Sequence, residues 1–256
     1  MRLDEFLFKY KYYDSRTKAK QAIERKEVYV NGKLIDKSSF FLDENALIAI
    51  EKKSKVEFVS LGGYKLDKAI DDFSLEVEDL ICADVGASTG GFTDCLLKRG
   101  AKKVFSIDLN DSLLHYSLKE NEKVVSVIKN AKDLSLKDFD MPINFLCADL
   151  SFISATLVLP VFYNLLPNEA YCVLLVKPQF ESNVKKHVKN GVIRDEKTRV
   201  LALKKVFQCA IDNHFCAKGL TVAPLNKDKN VEYLLLLKKS NEESFDFDKM
   251  YKNLKF

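Results

Sequence analysis

The chain has 256 residues, 47% hydrophobic and 30% charged, enough apolar surface for a buried core and far from the composition of a disordered protein. Charges at Arg2, Asp4 and Glu5 argue against a signal peptide, and no apolar run approaches the ~18–20 residues that span a bilayer, so a cytoplasmic protein with no membrane partner is expected. Six cysteines without CxxC spacing and three scattered histidines (His115, His187 and His214) argue against a disulfide framework or a metal site.

The net charge of +4 is unevenly spread. Residues 1–56 hold 13 Lys/Arg against 9 Asp/Glu, which is the whole surplus, whereas residues 57–256 hold 28 of each. A polyanion is therefore attracted to the N-terminal part.

In chain order, Arg2 to Lys9 sets apolar Leu3, Phe6 and Leu7 among charges at helical spacing. Asp14 or Ser15 is positioned to cap a second helix running to about Arg25, with Ala19, Ala22 and Ile23 inward and Arg16 and Lys20 one turn apart on its outer face. Val28-Tyr29-Val30-Asn31-Gly32-Lys33 then reads as a hairpin on a type I′ Asn-Gly turn. A mixed-charge stretch, Glu51 to Glu57, separates this module from the rest. The expected organisation is a small α+β domain over residues 1–56, a linker over 57–62 and a large domain over 63–256.

From about residue 80, apolar runs at Leu80–Val85, Val104–Ile107, Val124–Ile128, Phe145–Leu150 and Tyr171–Val176 are separated by helix-length stretches, the rhythm of a mostly parallel α/β sheet. The last two runs, Leu220–Ala223 and Tyr233–Leu237, lie too close together for a crossover helix and should pair antiparallel. The first run ends in Asp84-Val85-Gly86-Ala87-Ser88-Thr89-Gly90-Gly91-Phe92, where glycines permit a tight turn into a helix N-terminus. Asp108 ends the second run, where a carboxylate can bond ribose hydroxyls. Loop, helix and acidic strand end together point to a nucleoside cofactor.

Two resemblances sharpen this reading. RLD at Arg2 to Asp4, Ser15-Arg16, the spaced Ala19 and Ala22, and VYVNGK at Val28 to Lys33 resemble the S-four-type RNA-binding domain. That implies double-stranded or structured RNA gripped through its phosphates by a helix face and the hairpin, with Arg2, Arg16, Lys20 and Lys33 as contacts. DVGASTGGFTDCLL is similar to the first motif of the Rossmann-like methyltransferases. Together with GGYKL (Gly62 to Leu66), ADLSFIS (Ala148 to Ser154), VKPQFE (Val176 to Glu181) and GVIRD (Gly191 to Asp195), it resembles the TlyA family of the FtsJ-like class over nearly the whole chain.

The resemblance implies a seven-stranded Rossmann-like domain that uses S-adenosylmethionine to methylate cytidine 2′-hydroxyls of ribosomal RNA within ribosomal subunits. It implies a cofactor site of Asp84, Gly86, Ala87, Ser88, Thr89, Gly90, Gly91, Asp108 and Asn130. It also implies a tetrad of Lys65, Asp149, Lys177 and Glu232, with Lys177 at the 2′-hydroxyl, Asp149 and Glu232 orienting it and Lys65 completing the network. Family members modify either both subunits or the large one only, and shorter chains tend toward the latter, so the resemblance implies the large subunit first, with the small subunit as the alternative. Two positions depart from the family pattern: Leu61 stands where Arg usually precedes the paired glycines, and Asn226 to Asn230 replaces a glycine-rich stretch. Rival readings are an RNA-binding assembly factor with a vestigial cofactor loop and, from the family's older label, a membrane-damaging haemolysin.

Overall fold

The computed structural model describes residues 1–13, 15–24, 27–43, 46–50, 57–182, 191–224 and 229–254. Asp14, Arg25, residues 51–56 and Asn226 to Asp228, which carry expectations from the sequence, lie outside the described residues. The chain divides into two compact units, Met1–Glu57 and Phe58–Phe256.

In the first unit, α1 (Leu3–Lys9) and α2 (Arg16–Glu24) precede a small antiparallel sheet of β1 (Val28–Val30), β2 (Lys33–Leu34) and β3 (Ile48–Ile50), in the order β2-β1-β3. Leu3, Leu7, Ala19, Ala22, Ile23, Val28 and Val30 form its core, as the helical spacing requires. Ala19 N donates to the Ser15 carbonyl (3.0 Å), which sets Ser15 at the start of α2. Asn31 and Gly32 both have positive φ, 51° and 75°, and join strands paired at Val30–Lys33, as a two-residue type I′ turn demands.

The second unit runs α3 (Leu61–Asp72), β4 (Ile81–Val85), α4 (Gly91–Lys98), β5 (Lys103–Asp108), α5 (Tyr116–Lys119), β6 (Val124–Ile128) and β7 (Phe145–Ala148). It continues with α6 (Leu159–Leu165), β8 (Tyr171–Val176), α7 (Pro178–Glu181), α8 (Glu196–Asp212), β9 (Cys216–Val222), β10 (Tyr233–Lys238) and α9 (Phe247–Lys252). Its sheet has the order β6-β5-β4-β7-β8-β10-β9. β4 to β8 are parallel, and β10 runs antiparallel to both of its neighbours. Runs of Val, Leu, Ile, Phe and Cys suit strands covered on both faces, and two clusters, one around Phe162 and Leu235 and one around Leu66 and Leu96, do the covering. Five of the six cysteines are buried and all six are unpaired.

Three details differ from the sequence expectation. Leu61 and Gly62, assigned to a linker, form the first turn of α3, and Val59 N donates to Asp94 on α4 (2.8 Å). Between β6 and β7 no α-helix forms. Two 3₁₀ turns, Ala131–Asp133 and Leu136–Asp138, suffice there, with Ala131 and Leu134 sunk into the core. β9 begins at Cys216, ahead of its uninterrupted apolar run, because its pairing with β10 continues across Lys218 and Gly219 through a bulge.

Strand order reverses between β4 and β7, so a crevice opens beyond their carboxyl ends, the usual ligand position in open α/β sheets. Leu235, 1% exposed in β10, tests the covered-sheet description. Leu235→Ala should destabilise the second unit by about 2–5 kcal/mol in urea unfolding. A loss under about 1 kcal/mol would contradict a packed double-faced sheet at this position.

Candidate active site at the carboxyl edge of the sheet

The Gly86 loop is shaped by its surroundings. Gly86 has φ +86°, and a Cβ on it would lie 2.6 Å from the Asp149 carbonyl oxygen, so only glycine lets the loops after β4 and β7 approach so closely. Gly86 N and Ala87 N donate to Ile107 O (2.8 and 3.0 Å), which binds the loop to β5. At Gly91, the first residue of α4, a Cβ would come within 2.3 Å of Ser60 Oγ and 2.8 Å of Gly63 N, so the helix start is locked against α3.

Of the cofactor residues expected from the sequence, Asp108 has its Oδ2 accepting from Ser88 N (2.7 Å) and its Oδ1 from Leu109 N (2.7 Å). Each oxygen keeps a second lone pair, and the residue is half-buried. Asn130 follows β6 and caps a 3₁₀ turn by accepting from Lys132 N (3.1 Å). Ser88 and Thr89 are exposed and Ala87, Gly90 and Gly91 buried, with Ser88 in the left-handed region at φ 49°. Asp84 lies deeper than the rest of the expected set. Its carboxylate is fully buried and accepts from Thr93 N (2.8 Å) and Thr93 Oγ1 (2.7 Å). With its proton given to Asp84, the Thr93 hydroxyl accepts from Ser106 Oγ (2.7 Å). Asp84 therefore fastens β4 to α4 from inside through Oδ2, while its buried Oδ1 has no hydrogen-bond partner.

The four charged residues implied as a tetrad come together at the same edge. Pro178 begins α7 and confines Lys177 before it to extended backbone (φ −111°, ψ 101°), the end of β8. Asp149 follows β7, with its N donating to Val85 O (3.1 Å). Glu232 precedes β10, whose Tyr233 pairs with Val176. Lys65 arrives from α3. Lys177 Nζ lies 2.5 Å from Asp149 Oδ1, an ion pair without hydrogen-bond alignment, and donates to Ser151 Oγ (2.9 Å). Lys65 Nζ lies 3.7 Å from Asp149 Oδ2 and donates to Glu232 Oε2 (2.6 Å). The order is thus Lys177–Asp149–Lys65–Glu232, with signs alternating. Glu232, expected to orient Lys177, instead pairs with Lys65 and reaches Lys177 only through it. Lys177 is 8% exposed, and a buried ammonium is tolerated only with such partners.

Three neighbours of the tetrad lie in segments the sequence singles out but receive no role of their own there. Ser151 holds Lys177. Phe152 is in the left-handed region (φ 64°) and 92% exposed, its ring 5.3 Å from that of Phe180, over which Lys177 Nζ sits at 5.8 Å. Asn230 accepts from Ile193 N (2.7 Å) and donates to Gly191 O (2.8 Å), joining the GVIRD segment to the lead-in of β10. Only the hydrogen-bonding character of Ser151 and Asn230 could have drawn attention to them.

In the N-terminal unit, Arg2 and Arg16 meet on one buried carboxylate. Asp4 accepts from Arg2 Nε (3.0 Å) and Arg16 Nε (3.1 Å), and these donors hold its carboxyl at about 2, well below the usual range, against the opposing effect of burial. Lys20 and Lys33 are exposed. Among the described residues no helix is long and apolar enough to cross a membrane, and no group of three or more His, Cys, Asp or Glu residues could hold a metal ion.

Burial raises the Asp84 carboxyl to about 7, with the Thr93 hydrogen bonds opposing the shift. An acid whose folded value exceeds its unfolded one binds more protons when folded, so its contribution to stability is full at low pH and declines as pH rises from about 4 to 7. Asp84→Asn removes that decline. In urea unfolding across this window, the variant should gain on wild type by up to a few kcal/mol, and parallel pH profiles would show that Asp84 titrates normally.

The FtsJ-like methyltransferase family matches residues 58–240, and the S4 domain matches residues 1–48. Hemolysin A of Brachyspira hyodysenteriae is 41% identical over 238 residues, covering 91% of this chain and 98% of its own. The 16S/23S rRNA (cytidine-2′-O)-methyltransferase TlyA of Mycobacterium tuberculosis is 32% identical over 232 residues, covering 90% of this chain and 87% of its own. A solved structure of a candidate hemolysin from Streptococcus thermophilus superposes with a TM-score of 0.71 at 34% identity, covering 96% of this chain and 91% of the other. With a Gly-rich loop and an alternating charge chain on one sheet edge, and with matches that run through both units, the chain belongs to the FtsJ-like methyltransferases of the TlyA type, which carry an N-terminal S4 domain.

Proposed function

We propose that this chain transfers the methyl group of S-adenosylmethionine to the 2′-hydroxyl of a cytidine in cytoplasmic ribosomal RNA, with the N-terminal unit anchoring the RNA. The observation that carries this reading is the chain Lys177–Asp149–Lys65–Glu232 on the edge that also holds the Gly86 loop. The large-subunit RNA is the favoured target. The chain spans 87% of a relative named for both subunits, and shorter chains of this type are expected to act on the large subunit alone.

The residues present fit the cofactor. Gly86 carries the turn after β4 at φ +86° with no side chain, and Asp108 keeps lone pairs free for two ribose hydroxyls at the neighbouring strand end. Asn130, beyond the next strand, is the candidate on the base side. Bound S-adenosylmethionine supplies an already activated methyl, which leaves the protein to align the acceptor and manage its proton. Lys177 Nζ is the atom placed to do so. It takes the hydroxyl proton or, as an ammonium, meets the negative charge growing on the 2′-oxygen. Asp149 and Ser151 fix Nζ on two sides, and Lys65 keeps Asp149 from acting as a lone buried anion, with Glu232 balancing Lys65. The exposed Phe152 ring, beside Phe180 and Lys177, offers a stacking face to a base turned out of its helix.

Asp108→Ala should weaken S-adenosylmethionine binding by ~1.5–3 kcal/mol in calorimetry, and unchanged affinity would remove Asp108 from the site. Lys177→Ala should slow single-turnover methyl transfer to ribosomal RNA by ~10²–10⁴-fold with little change in cofactor affinity. Lys177→Arg should not restore the rate, because a planar guanidinium neither gives up its proton nor fits the position of a compact ammonium. Near-wild-type transfer by Lys177→Ala would leave alignment alone as the source of catalysis. Mapping ribose methylation in ribosomal RNA by mass spectrometry, with and without the gene, tests the substrate. Unaltered methylation combined with absent cofactor binding would favour an assembly factor with a vestigial loop.

A further inference from the structure

The N-terminal unit carries a stripe in which aromatic rings alternate with cations. Phe6 N donates to Arg2 O (2.9 Å) and Tyr10 N to Phe6 O (3.0 Å), so Arg2, Phe6 and Tyr10 stand one helical turn apart along one side of α1. Arg2 also pairs with Phe41 in an antiparallel bridge, which sets the two side chains on the same face within reach of each other. Phe41 is 69% exposed, and Tyr10 and Tyr12 are 56% and 44% exposed. Phe6 lies between the tyrosines, with centroids 4.4 Å from Tyr10 and 6.2 Å from Tyr12. Lys11, in the left-handed region at φ 58°, turns the chain so that Tyr12 returns to the cluster. Lys9 Nζ lies 5.9 Å from the Tyr10 ring centre.

At the Phe41 end, the shared Asp4 carboxylate holds Arg2 and Arg16 side by side, two cations on one buried anion. Their ordering entropy is thus largely spent before any ligand arrives. Along α1 the stripe covers about 12 Å, at 1.5 Å per residue from Arg2 to Tyr10.

We propose that this stripe is a track for unpaired nucleotides of the RNA, with phosphates at Arg2 and Arg16 and bases stacked on Phe41 and on Tyr10 with Tyr12. Phosphate contacts alone would serve duplex and single strand alike. The rings decide between them, because bases within a duplex already stack on each other, whereas loop bases are free to stack on a protein ring. The cationic surplus of residues 1–56 favours a polyanion over an apolar protein partner. The proposal rests on the reading that the N-terminal unit binds RNA, and it adds which structural state of RNA that unit prefers.

The test uses the full chain and two fluorescein-labelled RNAs, a hairpin with an unpaired loop and a blunt duplex of the same stem. Wild type should bind the hairpin more tightly. Phe41→Ala with Tyr10→Ala should cost roughly ten-fold or more in hairpin affinity, change duplex affinity less than about two-fold, and leave the salt dependence unchanged, since no cation is lost. Phe41→Tyr should keep the preference. Arg16→Ala with Lys20→Ala should weaken both RNAs and flatten the salt slope by up to ~2. Thermal melting checks each variant, and Phe41→Ala alone, at an exposed site, serves if the double variant unfolds. Retained hairpin affinity in the ring variants, equal losses on both RNAs, or no hairpin preference in wild type would each overturn the track. Wild type binding neither RNA would instead overturn the RNA-binding reading on which the track depends.

Discussion

The carbonyl oxygen of Asp149 sits where a side chain on Gly86 would have to go. Because residue 86 has no Cβ, the loop after β4 and the loop after β7 lie against each other at the point where strand order reverses. One face of this contact belongs to the Gly-rich turn and the other to the residue that bears the ion pair with Lys177. The proposed cofactor loop and the proposed catalytic cluster thus meet at a boundary one backbone thick. A side chain at residue 86 would disturb both partners together, since moving the Asp149 carbonyl also moves its carboxylate.

Around that contact the protein solves an electrostatic problem. A mostly buried lysine is unfavourable alone, as is a carboxylate beside it without further compensation. Alternating signs along Lys177, Asp149, Lys65 and Glu232 make the cluster neutral as a whole, while Ser151 satisfies a further donor of Lys177. The four residues come from separate places in the fold: α3, the ends of β7 and β8, and the approach to β10. The cluster therefore forms only when the sheet and α3 have assembled, which makes it a consequence of the fold rather than a local motif. Asp4 uses the same physics in reverse, with one buried anion holding two surface cations.

Much of the architecture was legible in the sequence because its strands are dense apolar runs. Val124–Ile128 and Tyr171–Val176 have the limits that hydrophobicity alone gives, and the short spacing before Tyr233 correctly predicted an antiparallel pair. Where apolar residues served loops, the rhythm misled. Ala131 and Leu134 fill the core from 3₁₀ turns, and the expected helix between β6 and β7 is absent. Leu61 and Gly62 read as linker in the sequence, yet α3 already begins at Leu61, with Gly91 of α4 packed closely on Ser60 and Gly63. At the site, the charged residues stood out by type and neighbourhood, but their pairing did not. Lys65 and Glu232 are 167 positions apart, and only the crossing of α3 over the sheet edge joins them. Asp84 illustrates the opposite limit: an acidic residue beside a Gly-rich loop invites a ligand role, and only burial reveals an internal clasp. Phe152 is hidden for a third reason, since nothing in its identity announces a left-handed backbone.

The unpaired thiols carry a consequence for following the molecule's motions. All six cysteines belong to the second unit. Burial pushes the Cys82 thiol up to about 12 and raises those of Cys95, Cys147 and Cys172 as well. Only the thiolate attacks a thiol reagent, so apart from the half-buried Cys209 the closed protein offers almost nothing, and modification of a buried thiol records an opening of the structure. Because Cys82 and Cys147 lie in β4 and β7 and Cys172 in β8, alkylation kinetics would report breathing of the sheet on either side of its reversal. The first unit would remain silent throughout, so the natural sequence already contains a domain-selective clock.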